Sequence, residues 1–454
     1  MELWRKTYDQ LVEWKRESAG RSSLLIEGAR RVGKSTTAEK LGKEHYRSYV
    51  VIDFAKAPKV IRDNFEDNLN DLDTFFQVIS LEYATRLHRR ESLIVFDEIQ
   101  RFPKAREAIK YLVADGRFDF LETGSLISIK ENVEGIVIPS EEEKVLMRPL
   151  DFEEFLVALG QGVMADHIRD CWRKKEPLED RFHRKAARLF REYLLVGGMP
   201  QSVVAYLEHD KSFHEADKEK RRILSLYRDD VHKAQRRYSS RVSAVFENIP
   251  GFLSTHEKKV VLSKIEPGAT FDRYDDPLFW LGESMMCNLC YKCNDPNVGL
   301  ALNKDDSAVK CYMGDTGLLV SLAFSENDIA DEDLYRQVMG GKLAINEGML
   351  HENAVAQELV ARGRKLYFYA HYSEEKHRND IEIDFLISDG ALQKYKVRPI
   401  EVKSSKNYTK ASYDSFKKRF GKKVGEGLIV HPKQLQHDQN GYRIPSYMMF
   451  CALG

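Results

Sequence analysis

The sequence predicts an α/β protein of several domains, and three observations carry that prediction. An apolar stretch at residues 22–27 runs straight into Gly28-Ala29-Arg30-Arg31-Val32-Gly33-Lys34-Ser35-Thr36. A second apolar stretch, Ser92-Leu93-Ile94-Val95-Phe96, ends in the adjacent carboxylates Asp97 and Glu98. Far downstream, Ile381-Glu382-Ile383-Asp384-Phe385 and Ile400-Glu401-Val402-Lys403 alternate with a period of two, as half-buried strands do.

Length and composition set the frame. A chain of 454 residues has room for roughly three ordinary domains. With 43% hydrophobic and 31% charged residues it is globular in composition, which excludes disorder throughout. Lys plus Arg and Asp plus Glu both total 71, so no overall field draws the molecule to nucleic acid or membrane. No apolar run approaches membrane-spanning length and the first residues lack an apolar leader core, so the expectation is a cytoplasmic chain without a membrane partner. Six cysteines over this length fit a reducing compartment and give no disulfide framework.

The first element is G-x-x-x-x-G-K-S. Glycines at 28 and 33 permit a turn whose backbone N–H groups, from Gly28 through Ala29, Arg30, Arg31, Val32 and Gly33 to Thr36, cradle phosphate oxygens, and the helix from Lys34 adds its positive end. Lys34 is placed to reach the β and γ phosphates, and the Ser35 hydroxyl to ligate Mg²⁺. The strand before and helix after the motif are its confirming context. The second element supplies what a hydrolytic site still needs. Asp97 would hold Mg²⁺, directly or through water, and Glu98 would polarise the attacking water. Adjacent Asp and Glu at a strand end suit water activation better than transfer to a metabolite. Residues 49–53 and 118–123 read as further strands of the sheet. Thr123 or Ser125 either contacts the γ phosphate or simply punctuates the strand end. ATP and Mg²⁺ are the expected cofactors.

These residues carry a resemblance. GARRVGKST, LIVFDEIQ with Gln100, FLETGS and PLDFEEFL look like the AAA-type ATPases of bacteria and archaea that carry a C-terminal restriction-endonuclease-like domain. YLLVGGMPQSV at 193–203, YMGDTGLL at 312–319 and the region 347–403 extend the resemblance over most of the chain. It implies a P-loop AAA-type domain at 1–150, a helical lid or connector at 151–220, a winged helix at 221–325, and a nuclease-like domain at 326–454. It also implies sites at subunit interfaces completed by a neighbour's arginine. Arg117 and Arg148 are candidates by position, and self-assembly is a partner expectation.

In the middle of the chain, charged and apolar residues alternate at helical spacing up to about residue 220, and strand-like pieces follow near 285–291 and 309–313. The basic runs at 218–222 and 233–241, with Arg236 and Arg237 adjacent, read as solvated helix faces in preference to phosphate contacts. Cys287, Cys290 and Cys293 have C-x-x-C-x-x-C spacing with Cys311 downstream, but no second C-x-x-C or flanking His. Buried cysteines of a β segment are preferred to a metal site.

In the C-terminal region, the period of two puts Asp384 on one strand, and Glu401 and Lys403 on another, in positions where they can converge. Two carboxylates can ligate Mg²⁺, and the Lys can position a water or stabilise developing charge. The order is similar to the PD-(D/E)XK nuclease core, with Glu352 on the preceding helix, Asp384, and then Glu401-Val402-Lys403. Glu352, Asp384 and Glu401 are thus the expected metal ligands, and Asp384, Glu401 and Lys403 the expected catalytic set. The segment 387–397 is long for a hairpin and raises the prospect of a shifted register. The function expected is an ATP-hydrolysing protein acting on nucleic acid, DNA first, through this domain. The alternative is an ATP-dependent switch whose nuclease-like domain binds without cleaving.

Overall fold

The computed structural model describes residues 1–124, 140–233, 238–297, 299–325, 332–340, 346–375, 377–388, 396–438 and 441–453. The chain divides into two compact units, one of residues 2–148 with 283–285, the other of Met1, 149–282 and 286–454. Among the described residues no helix is long and apolar enough to cross a membrane.

In the first unit, strands β1 (Ser23–Gly28), β2 (Ser48–Asp53), β3 (Ser92–Asp97), β4 (Asp119–Gly124) and β5 (Glu142–Met147) form one sheet in the order β2-β3-β4-β1-β5. Every pairing is parallel. β1 and β4 are buried along their whole length, as strands covered on both faces are, so they read as continuous apolar runs. Helices α1 (Lys6–Ser18), α2 (Lys34–His45), α3 (Lys59–Asp67), α4 (Leu72–Glu82) and α5 (Pro103–Asp115) belong to the same unit. α5 begins on Pro103 and stops at Gly116, whose left-handed backbone returns its N–H to Val113. Phe54, Phe65, Phe75, Phe96 and Phe120 are buried in an aromatic core on one side of the sheet. That core fixes β3, and with it the position of Asp97.

The second unit opens with helices α6 (Phe152–Ala158), α7 (Gly162–Lys174), α8 (Asp180–Val196), α9 (Pro200–Glu208) and α10 (Phe213–Lys233). Asp151 and Glu154 form a capping box at the start of α6. α10 runs straight through the boundary expected at residue 220. Its basic run is paired within the helix, Lys218 to Glu215, Arg221 to Asp217 and Arg222 to Glu219, while residues 234–237 of the second run lie outside the described residues. Lys220 is fully buried, donating to the Leu195 carbonyl at 2.7 Å and to Tyr335 at 3.1 Å.

Helices α11 (Ser239–Glu247), α12 (Ile249–Leu253) and α13 (Phe271–Glu283) precede a hairpin of β6 (Cys287–Cys293) and β7 (Lys304–Met313). Helices α14 (Thr316–Ala323), α15 (Glu332–Met339) and α16 (Glu347–Ala361) follow. Next come β8 (Leu366–Ser373), β9 (Arg378–Ser388), β10 (Val397–Val402), α17 (Ala411–Phe420), β11 (Gly427–His431), β12 (Gln436–Asp438) and β13 (Gly441–Pro445). The strands make one mixed sheet ordered β12-β13-β11-β10-β9-β8-β6-β7. The hairpin expected to stand in a separate winged-helix domain is therefore the edge of the C-terminal sheet, because β6 pairs in parallel with β8. One sheet thus holds strands from both sides of the boundary expected at residue 325. Between β9 and β10 the register runs unbroken from Val397↔Ser388 to Ile400↔Phe385, so the long 387–397 segment does not shift it.

Two of the recognised sequence motifs meet in this unit. Gly198 donates its N–H to Asp315 Oδ2 at 2.6 Å, and Asp315 Oδ1 caps α14 through Leu318 N–H at 2.9 Å. A Cβ on Gly317 would lie 2.6 Å from the Gly197 Cα, and one on Gly198 only 2.1 Å from the Leu150 carbonyl oxygen. GGMPQ and DTGLL are thus two halves of one close backbone approach.

Candidate nucleotide site and C-terminal cavity

At the carboxyl end of β1 the chain needs glycine for two different reasons. A Cβ on Gly28 would sit 2.5 Å from the Met147 carbonyl oxygen of β5, and Gly33, entering α2, has φ of 101°. Between them Ala29 and Val32 are buried, Arg30 is half-buried and Arg31 is exposed; Thr36 lies exposed on the first turn of α2. Lys34 is buried, and its Nζ donates to the Gly28 and Ala29 carbonyls at 3.1 and 3.0 Å. Burial pulls its ammonium down to about 8 against the pull of Glu98 and Asp97.

The strand order places β4 between β1 and β3, and this brings three side chains together. Asp97 Oδ1 accepts from Ser35 Oγ at 2.7 Å and from Thr123 Oγ1. The hydroxyl of Ser35 and the carboxylate of Asp97 make a pair of hard oxygen donors, which fits Mg²⁺. Glu98 takes a left-handed backbone at φ 55° and accepts from Gln100 Nε2 at 2.6 Å. A non-glycine residue held there stores about 1 to 3 kcal/mol of strain, a cost that concentrates at functional sites. The contact from Gln100 had no counterpart in the sequence reading. Ser125 lies outside the described residues.

Of the two arginines chosen by position, Arg117 is committed within its own unit, to Asp115 at 2.7 Å and Asp73 at 2.5 Å over the ring of Phe76. Arg148 follows β5, where Met147 pairs with Gly28. Burial lowers its guanidinium to about 10, and its Nε has no hydrogen-bond partner among the described residues.

In the second unit a polar cavity of about 360 Å³ opens beside β9 and β10, lined by Lys258, Glu382, Asp384, Glu401 and Lys403, with His256. Asp384 Oδ2 accepts the Val402 N–H at 2.8 Å, which ties the two strands at the site. Lys403 Nζ donates to Glu401 Oε1 at 2.8 Å, and Glu401 Oε2 is buried without a hydrogen-bond partner among the described residues. Burial raises the Glu401 carboxyl to about 7, against Lys403. Asp384, Glu401 and Lys403 therefore converge as the period of two implied.

Glu352 does not join them as a metal ligand. It is fully buried and accepts from Lys258 Nζ, from Tyr312 OH, and from Lys310 Nζ at 3.1 Å. Burial pushes its carboxyl up, but Lys310 and Lys258 outweigh that and hold it at about 2. Among the described residues no group of three or more His, Cys, Asp or Glu is placed to hold a metal ion. The expected ligand set Glu352, Asp384 and Glu401 is thus not assembled. Lys258, Lys310 and Glu382 were missed from the sequence. Glu382 carried a signal, sharing the alternation of Asp384, whereas Lys310 on β7 belongs to no motif, although Cys311 and the stretch 312–319 follow it directly. The cysteine cluster does not gather either, since Cys287 and Cys290 are three apart on β6 and point to opposite faces.

Comparison with known proteins matches the chain in three segments. Residues 20–156 match the AAA domain family, residues 187–328 a domain of unknown function (DUF8612), and residues 347–448 another domain of unknown function (DUF4143). No curated protein matches the chain. Among solved structures, the Aeropyrum pernix ORC1 protein in complex with DNA aligns at 12% identity and a TM-score of 0.28, over 72% of this chain and 93% of that one. AMPPCP-bound DnaA from Aquifex aeolicus aligns at 11% identity and a TM-score of 0.25, over 62% and 81%. PCH-2 from C. elegans aligns at 12% and 0.25, over 45% and 64%. Likenesses this distant carry nothing about substrate or partner. No nuclease family is among the matches, and the chain is an AAA-type P-loop ATPase domain followed by two domains of unknown function.

Proposed function

We propose that this chain binds and hydrolyses ATP with Mg²⁺, and that its nucleotide state governs how the C-terminal cavity engages nucleic acid. The observation that carries the ATPase part is the meeting of Ser35 and Asp97 at 2.7 Å, beside Lys34 and one residue from Glu98. In this reading Gly28 to Thr36 cradle the phosphates and Lys34 exchanges the Gly28 and Ala29 carbonyls for phosphate oxygen. Ser35 and Asp97 hold Mg²⁺, which offsets charge on the phosphates when bound. Thr123 fixes the Asp97 carboxylate, and Glu98, once released by Gln100, orients water and takes its proton.

For the C-terminal unit, the convergence of Asp384, Glu401 and Lys403 supports a nuclease-like fold with its cavity as the point of engagement. A specific observation favours binding over cleavage: Glu352 is occupied by two lysines and a tyrosine. Folds of one kind host many functions, so the site must decide. The test is to incubate supercoiled and single-stranded DNA with Mg²⁺ or Mn²⁺, comparing the native chain with Asp384→Ala and Lys403→Ala. Cleavage lost in both variants assigns a nuclease. Retention of DNA without cleavage assigns the binding role, and neither binding nor cleavage removes nucleic acid from the account.

A further inference from the structure

Lys310 stands at the centre of the C-terminal carboxylates. Its side chain is wholly buried, and its Nζ lies 3.1 Å from Glu352 Oε1, 3.3 Å from Glu382 Oε1 and 3.7 Å from Asp384 Oδ1. An ammonium has three N–H donors and no acceptor, and here three carboxylates surround it. The other oxygens of two of these acids are also engaged, Glu352 Oε2 by Lys258 and Asp384 Oδ2 by the Val402 N–H. Mg²⁺ demands near-octahedral oxygen ligation at short range. To obtain it in this cavity the ion would have to displace a buried cation from the acids that neutralise it.

We infer that Lys310 is the resident cation of the C-terminal cavity, so that the cavity works without a divalent metal. The inference rests on reading that cavity as the point where nucleic acid is engaged. It departs from the metal-dependent chemistry that a nuclease-like fold implies. β7 is what makes the difference. By pairing with β6, which pairs with β8, it brings Lys310 from far upstream to the face of Asp384 and Glu382.

The test is a nucleotide-free Mn²⁺ titration read by electron paramagnetic resonance, on the full chain and on Asp384→Asn. Any ion held by Ser35 and Asp97 is common to both and cancels. Indistinguishable titrations are expected, and an Mn²⁺ ion bound by the native chain but lost in Asp384→Asn overturns the inference. Lys310→Gln, if it folds, is expected to gain at least tenfold in Mn²⁺ affinity, and the native-versus-Asp384→Asn comparison does not depend on it. In parallel, binding of a labelled single-stranded DNA oligonucleotide is measured in EDTA and in Mg²⁺. Equal binding supports the inference, and binding that requires Mg²⁺ and disappears in Asp384→Asn overturns it. No binding in either condition removes the nucleic-acid reading, while the Mn²⁺ titration still judges the resident cation on its own.

Discussion

Replacing Lys310 by methionine keeps most of the side-chain volume and removes only the charge. The native ammonium lies within 3.7 Å of three carboxylates and 5.1 Å from the centre of the Phe368 ring. Glu352 would retain Lys258 and Tyr312, so the loss falls on Glu382 and Asp384, which among the described residues share no other cation as close. Removing one partner of a buried ion pair costs about 3 to 5 kcal/mol, against a total of about 5 to 15 kcal/mol for a typical domain. With a urea dependence of about 1 to 3 kcal/mol per molar, the midpoint should fall by on the order of 1 to 5 M at pH 8. Lys310→Met combined with Glu382→Gln should recover part of the loss, since the two groups pair directly at 3.3 Å. Urea unfolding followed by circular dichroism reads all three chains. A fall below about 0.3 M for Lys310→Met, converted with the same slope, would refute the claim that Lys310 neutralises this cluster.

Three further outcomes follow from the same structure. Gly198→Ala puts a Cβ 2.1 Å from the Leu150 oxygen and should cost about 3 kcal/mol or more, lowering the thermal midpoint, whereas Gly251→Ala, with nothing within 4 Å, should not lower it. The half-buried His351 has its imidazole lowered from 6.5 to about 4, by desolvation first and Arg191 second. Between those values only the unfolded chain takes up the proton, so stability falls as pH drops through this window, and His351→Gln should recover on the order of 2 kcal/mol at pH 5 relative to pH 7 in urea unfolding. Glu401 shifts the other way, from 4.5 to about 7. The folded chain holds its proton more tightly there, stability falls as pH rises through the window, and Glu401→Gln should be more stable than the native chain by about 2 to 3 kcal/mol at pH 8 but not at pH 4.5.

The nucleotide site was legible because its chemistry is local. Gly28 to Ser35 is a contiguous turn with a strand before it and a helix after it, and Asp97-Glu98 closes an apolar run, so short sequence windows contain nearly all the information. The order of the strands was not legible, and it is that order which sets Thr123 against Asp97. The C-terminal site divides in the same way. Asp384, Glu401 and Lys403 follow from the period of two, but the neutralisation of Glu352 depends on Lys258 after α12 and Lys310 on β7, 94 and 42 residues away in sequence. No propensity or spacing rule links residues so far apart. The hairpin of β6 and β7 was read as part of a winged helix for the same reason, since only pairing with β8 reveals which sheet it serves. The cysteines were legible too, since the preferred reading, buried residues of a β segment, is what β6 and β7 hold. A C-x-x-C pattern gathers thiols on a turn, whereas on a strand it splits them between faces.

The most direct test of the central claim is phosphate release at saturating ATP and Mg²⁺ by Glu98→Gln, with Lys34→Ala as the chain that should not bind nucleotide. Removal of a general base typically costs on the order of 10² to 10⁴ in rate, so turnover should fall at least a hundredfold while ATP affinity stays within about threefold of the native chain. Native turnover by Glu98→Gln would contradict the assignment of Glu98 as the residue that activates water.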